Sequence, residues 1–188
     1  MAGTMNVGLP ERFEVDEHSG DLRIHWKWPA FMAIPLALFS AAWDSFLVFW
    51  YFGVTRGGDA SLVEWLFPLG HVAIGLILPY VAVAFWVNST LVEVKGAEIT
   101  VTHRPLPFPG NRRVQVMDVR QLFCVERARQ KGSPTYAVMA RLASGKEVTL
   151  ISGLSSDREA RSLEERIERR MGLADEAVAG ELPSSPTR

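Results

Sequence analysis

One cysteine stands in 188 residues, Cys124, so the chain can hold no internal disulfide and no cysteine-only metal site. Within the run LFCVE it reads as a small core residue rather than a reactive thiol. Also missing are a Walker-type phosphate loop, a G-x-S-x-G elbow and an H-E-x-x-H pair. His18, His25, His71 and His103 are scattered without metal-ligand spacing, and no cofactor or metal is implied. A haem would need an axial ligand, and the single histidine in an apolar run, His71, would leave paired ligation to a second chain. Twenty Lys and Arg against 21 Asp and Glu leave a net charge of −1, which gives no reason to expect nucleic acid as a partner. A cleavable signal is absent as well. The first apolar run begins only at Pro29, exceeds the length of a signal-peptide core and has no small-residue cleavage pattern, so it is expected to remain as an anchor.

What is present is a pair of long, almost uncharged runs, residues 29–52 and 65–87. As helices they would be about 34–36 Å long, enough to span a hydrocarbon core of about 30 Å with some tilt. Residues 29–87 therefore predict a transmembrane hairpin. Arg56 alone is basic between the runs, whereas Arg12, Arg23 and Lys27 precede them and Lys95, Arg104, Arg112 and Arg113 follow. This asymmetry predicts a multi-pass protein of the inner membrane with both termini cytoplasmic. Trp26, Trp28 and Trp86 would then mark the inner interface and Trp50, Tyr51 and Trp65 the outer one, leaving only Trp43 deep. Each run carries one ionisable residue, Asp44 in the first and His71 in the second. Ala33, Ala37, Ala41 and Ser45 recur every four residues and predict the face that meets the second helix. On that helix His71, Gly75, Leu78, Pro79 and Ala82 share a face, with a kink expected at Pro79. Antiparallel pairing brings Asp44 opposite His71 within one turn.

The flanks read as β structure. Residues 1–28 form an amino-terminal segment, loose over 1–12, with short strands at 13–15 and 22–26. Such a ribbon is not stable alone. Two placements stay open: on the membrane surface, or joined to the later sheet. Beyond Asn88, strands are predicted over 91–94, 99–102, 114–116, 119–127, 135–142 and 147–151. The proline-rich stretch 105–111 is a loop. Ser156 and Glu159 form a capping box for a helix over 156–172, whose stripe is Ala160, Leu163, Ile167 and Met171. Residues 174–188 read as an acidic, Ser/Pro-rich disordered tail.

Several stretches carry a family resemblance: WDSFLVFWY at 43–51, HVAIG at 71–75, NSTLVEV at 88–94, PLPFPGN at 105–111 and IERRMGL at 167–173. Over residues 13–181 the chain resembles the bacterial PH-like (pleckstrin-homology-like) membrane proteins, a group of undefined activity. The resemblance implies an α+β membrane protein, with a two-helix hairpin followed by a cytoplasmic PH-like antiparallel β-domain over 88–173 and a C-terminal amphipathic helix. It also implies a scaffold rather than an enzyme. Lipid-binding PH domains carry a basic K-x-n-R-x-R pattern between their first two strands; here that stretch is VKGAE at 94–98, which argues against phosphoinositide recognition.

Two constellations stand out. Asp44 and His71 either pin the hairpin, or a neighbouring copy, in register or serve proton movement, ligand binding or a redox cofactor. Residues 88–131 hold eight basic against four acidic residues, including Lys95, Arg104, Arg112, Arg113 and Arg120. These five are candidates for a membrane-facing or partner-binding patch, or for an ordinary solvated strand face. The loop at 105–111 reads as a recognition element or a rigid connector. The leading functional expectation is a non-enzymatic membrane-anchored adaptor that binds a protein partner or the anionic membrane surface. The rival is a small accessory subunit of a membrane enzyme or transport complex, with Asp44 and His71 handling a proton or cofactor. Expected partners are the lipid bilayer and either another protein or a second copy of the chain.

Overall fold

The structure is a computed structural model and describes residues 9–18, 20–58, 61–66, 68–128 and 132–173. The tail at 174–188 and the first eight residues, both predicted to be loose, lie outside the described residues. The chain divides into two compact units, one of residues 9–26, 90–103 and 109–173, the other of residues 27–89 and 104–108.

The second unit is helical. After a 3-10 turn at Ala30–Met32 come α1 (Ala33–Arg56), α2 (Leu62–Leu66) and α3 (Leu69–Val87). The first helix thus lies four residues later than the apolar run suggested. The second run is divided, because Pro68 takes the N-cap of α3 and separates it from α2. A capping box starts α2, with the Ser61 amide donating to Glu64 Oε2 at 2.7 Å. Both stretches are long and apolar enough to cross a membrane.

The face of α1 that packs on α3 differs from the one predicted. Ala33, Ser40 and Leu47 are buried, and Leu36, Trp43, Asp44, Trp50 and Val54 are half-buried, whereas Ala37, Ala41 and Ser45 point outward. In a helix apolar all round, small residues every four positions mark two candidate faces equally, and the polar side chains Ser40 and Asp44 decide between them. On α3 the reading holds, with Gly75 and Ala82 buried and Leu78 and Pro79 half-buried.

The other unit contains two antiparallel sheets and one helix. The first sheet has strand order β1-β2-β3-β4-β5, with β1 Phe13–His18, β2 Asp21–Lys27, β3 Ser89–Lys95, β4 Glu98–Arg104 and β5 Arg112–Gln115. The amino-terminal ribbon therefore joins the later sheet. Arg23 meets Glu93 at 2.8 Å and Lys95 meets Asp21 at 3.8 Å, so β2 and β3 run antiparallel as neighbours although residues 28–88 separate them in sequence. The alternation that marked β2 buries Leu22, Ile24 and Trp26. Trp26 lies in this core against Phe13, ring centroids 5.1 Å apart, and not in the aromatic belt proposed for it.

The second sheet has order β6-β7-β8, with β6 Val119–Arg127, β7 Thr135–Leu142 and β8 Glu147–Leu154. A final helix, α4 (Asp157–Met171), packs on β6 and β7. Its ends are capped as the sequence predicted: Ser156 accepts from the Glu159 amide, and Gly172 closes the last turn in the left-handed conformation. Ala160, Leu163 and Ile167 are wholly buried in the same cluster as Leu122, Cys124, Val138 and Ile99. More of α4 is enclosed than its apolar stripe, since Glu159, Glu164 and Glu168 are buried too. The amino-terminal segment reaches this helix. Arg12 contacts Glu159 at 2.5 Å and Ser155 at 3.0 Å, and Arg166 contacts Glu17 at 3.0 Å.

Candidate functional site

Within the helical unit the polar groups of the hairpin gather at one level. Asp44 accepts from the Ser40 hydroxyl at 3.3 Å, a bond that the i, i+4 spacing of a helix makes available. Its other oxygen lies against Gly75, where a Cβ would land on it and stand 3.1 Å from Leu47 Cδ1. Glycine at 75 is therefore the seat of the carboxylate. One turn away, the Trp43 indole stacks on the His71 ring, with centroids 5.5 Å apart and planes 19° apart. Trp43 also donates Nε1–H to the His71 carbonyl at 3.1 Å.

Asp44 and His71 each take a different neighbour: Asp44 has Ser40 and Gly75, His71 has Trp43. Trp43 and Gly75 are the two residues whose role the sequence did not announce. The one hint was Gly75 itself, on the same face as His71. Pro79 has no N–H to offer the Gly75 carbonyl, so the residue on which the carboxylate rests also lacks its intrahelical bond.

The proline-rich loop has a built base. Asn88 spans it with both ends of its amide, donating Nδ2–H to the Leu106 carbonyl at 3.0 Å and accepting from the Leu106 amide at 2.8 Å. The Tyr80 hydroxyl donates to the Pro107 carbonyl. Phe108 meets Trp28 edge-on at 4.8 Å, and Trp28 packs on Phe85 at 5.4 Å. A loop held by this many contacts fits the connector alternative. At its end, the Asn111 side chain accepts from the His103 amide at 2.8 Å, and His103 Nδ1 lies 3.0 Å from the Thr90 hydroxyl. Gly110 takes φ +119°, and a Cβ there would stand 2.7 Å from His103 Nε2. Burial, and then the charge of Arg112, push the His103 imidazole below its ordinary range.

The five basic candidates are spread over β3, β4, β5 and β6. Lys95 and Arg104 close opposite ends of the β3–β4 pair, roughly 20 Å apart by strand rise. Lys95 pairs with Asp21, and Arg113 pairs with Glu98 at 3.3 Å. Arg112 donates to the Asn111 carbonyl at 2.8 Å. Arg120 is exposed on β6, in the other sheet. On the first sheet Glu93 meets Arg23 at 2.8 Å, and Glu14 lies 3.3 Å from the His25 ring. Among the described residues no group of three or more His, Cys, Asp or Glu is placed to hold a metal ion. No protein-family model matches the chain, and a search of curated proteins finds no relative.

Proposed function

We propose that this chain is a non-enzymatic, membrane-anchored adaptor of a bacterial inner membrane. Both termini are cytoplasmic, and a PH-like β domain binds a protein partner beside the bilayer. The observation that carries this reading is the surface of the two long helices. Leu38 is 69 % exposed, Phe49 75 % and Leu76 71 %, and such residues stand on every side of the pair that does not face the other helix. An apolar surface of that extent is unfavourable in water by about 25 cal/mol per Å² and is stable when lipid covers it.

The β unit supports an adaptor in a different way. Ion pairs tie α4 to the amino-terminal segment, Arg12 with the buried Glu159 and Arg166 with Glu17, and on the first sheet Arg23, Lys95 and Arg113 are each answered by a carboxylate. A set of paired charges has little net attraction for anionic lipid, yet it presents oriented donors and acceptors that a protein surface can match. A protein is therefore favoured over the membrane surface as the domain's partner.

Two measurements test the reading. A membrane-impermeant maleimide added to intact cells should modify Ser61→Cys, while Arg113→Cys should react only after permeabilisation. The native Cys124 is buried and stays silent. The reverse pattern would overturn the orientation. Purification in mild detergent should yield a colourless chain that binds soluble protein. A coloured cofactor or stoichiometric membrane-enzyme subunits would instead favour the accessory-subunit alternative.

A further inference from the structure

The proline-rich loop belongs, over residues 104–108, with the two long helices rather than with the sheets. Pro105, Pro107 and Pro109 bring no N–H, so residues 105–109 carry only two backbone donors. One of these, on Leu106, donates to Asn88, and the Leu106 and Pro107 carbonyls accept from Asn88 and Tyr80. Asn88, which makes two of the three bonds, is 1 % exposed. Tyr80 stands about 10 Å before Val87 by helical rise, so the loop is fastened to α3 two turns before its end as well as at its C-cap. Leu106 and Phe108 are half-buried, Phe108 against Trp28 and Trp28 against Phe85, while the three prolines are exposed. Tyr80, Val83, Trp86 and Val87 are exposed on the same length of α3. No charged residue stands at 28–43, 72–92 or 105–111, and the exposed cations Lys27 and Arg104 border two of these stretches.

We infer that the loop at 105–109 inserts into the headgroup and upper acyl region of the bilayer beside α3, a third membrane contact besides the two helices. The inference rests on the membrane reading above. Continuity selects lipid as the occupant. The loop is bonded to a helix whose exposed side chains at that level are apolar or aromatic, and it carries no charge between Arg104 and Arg112. Irregular backbone is costly at membrane depth because its N–H and C=O groups lose their water. Here the prolines remove most of the donors, and Asn88 and Tyr80 answer one donor and two carbonyls from within the same unit. A connector lying in water would need no such provision, since water satisfies the same groups. Trp28, Tyr80 and Trp86 are residue types that a membrane interface favours. A cation at the border of an apolar stretch, as Lys27 and Arg104 are, suits the phosphates above it.

The experiment uses the full chain in phosphatidylcholine vesicles, with bimane on one introduced cysteine; the native Cys124 is buried and stays unlabelled. Probes at Pro107→Cys and Val83→Cys are compared with one at Met117→Cys, a position 82 % exposed on the β unit. Lipid brominated high on its acyl chains should quench Pro107→Cys at least about twofold more than Met117→Cys, and nearly as much as Val83→Cys. Aqueous iodide should show the reverse order. Pro109→Cys, away from the bonds to Asn88 and Tyr80, should give the same order and serves where Pro107→Cys does not fold. Iodide quenching of the loop probe equal to that of Met117→Cys, with Val83→Cys quenched by lipid, would overturn the insertion alone. A loop probe shielded from both quenchers would place protein over the loop and overturn it as well. Val83→Cys untouched by brominated lipid would overturn the membrane reading and the insertion together.

Discussion

Asp44 fits its helix partner because residue 75 has no side chain. Gly75→Ala places a methyl group on the carboxylate and near Leu47, so overpacking should destabilise the hairpin by about 1–3 kcal/mol. Asp44→Ala in the same chain should recover part of that loss, since the obstacle is gone. A double-mutant cycle followed by unfolding in detergent checks this, with couplings of the order of 0.6 kcal/mol typical of membrane helices. Asp44→Ala and His71→Ala, by contrast, should be nearly additive, because each residue has its own neighbour. The two ionisable residues could be singled out in sequence by their cost in an apolar run. Which neighbours they choose was not, because helical rise fixes depth to within a turn but leaves the facing residue open. Outside the helices, Gly110→Ala must adopt φ +119° and push against His103, at about 1–3 kcal/mol. His103 also gives the fold a pH dependence. Its folded pKa lies below the unfolded value of about 6.5. The unfolded chain therefore binds the proton first, and this contribution is present above about pH 6.5 and lost as the pH falls through it. His103→Asn should flatten the acid limb of a stability–pH curve.

At the scale of elements, α4 was the most readable segment. Its capping box, apolar stripe and terminal glycine each follow from local chemistry, and each is where the sequence places it. Ser156→Ala should cost about 0.5–2 kcal/mol by leaving the Glu159 amide without its cap. What the helical pattern could not reveal is that its charged side is enclosed as well. Glu159 is 4 % exposed and is answered by Arg12, far away in the chain. Arg12→Ala strips that carboxylate of its cation and should cost about 1–3 kcal/mol in thermal melts, while Arg12→Lys should restore part of it. Helix α1 was the least readable in azimuth. The run is apolar all round, so the alanine repeat carried no information about which side α3 would take.

For the whole molecule, the basic excess over residues 88–131 was a property of that stretch alone. Asp21, which belongs to the ribbon before the helices, supplies the counter-charge to Lys95, and Arg23 of the same ribbon takes up Glu93, from a distance in sequence that local counting cannot bridge. The same pairing decides what folds by itself. A fragment of residues 88–173 lacks β1 and β2, and with them Phe13, Leu22, Ile24 and Trp26 of the core. It should be disordered by circular dichroism. The Trp28 amide bonds to the Asn88 carbonyl at 3.1 Å, so a turn of about four residues can replace 29–87. That shortened chain should melt cooperatively and show dispersed amide resonances; a folded 88–173 fragment would contradict the shared core.

The insertion of two long helices between neighbouring strands also sets a schedule for synthesis. The ribbon ending at Lys27 leaves the ribosome before α1 and α3, and its partner β3 is complete only at Lys95. At about 5–20 residues per second that interval is roughly 3–14 s. Throughout it, β1 and β2 have no third strand, and Arg12 and Glu17 have no α4. The sheet closes only after both apolar helices have been made, so a folded β domain is itself a record that the segment between its strands has been delivered.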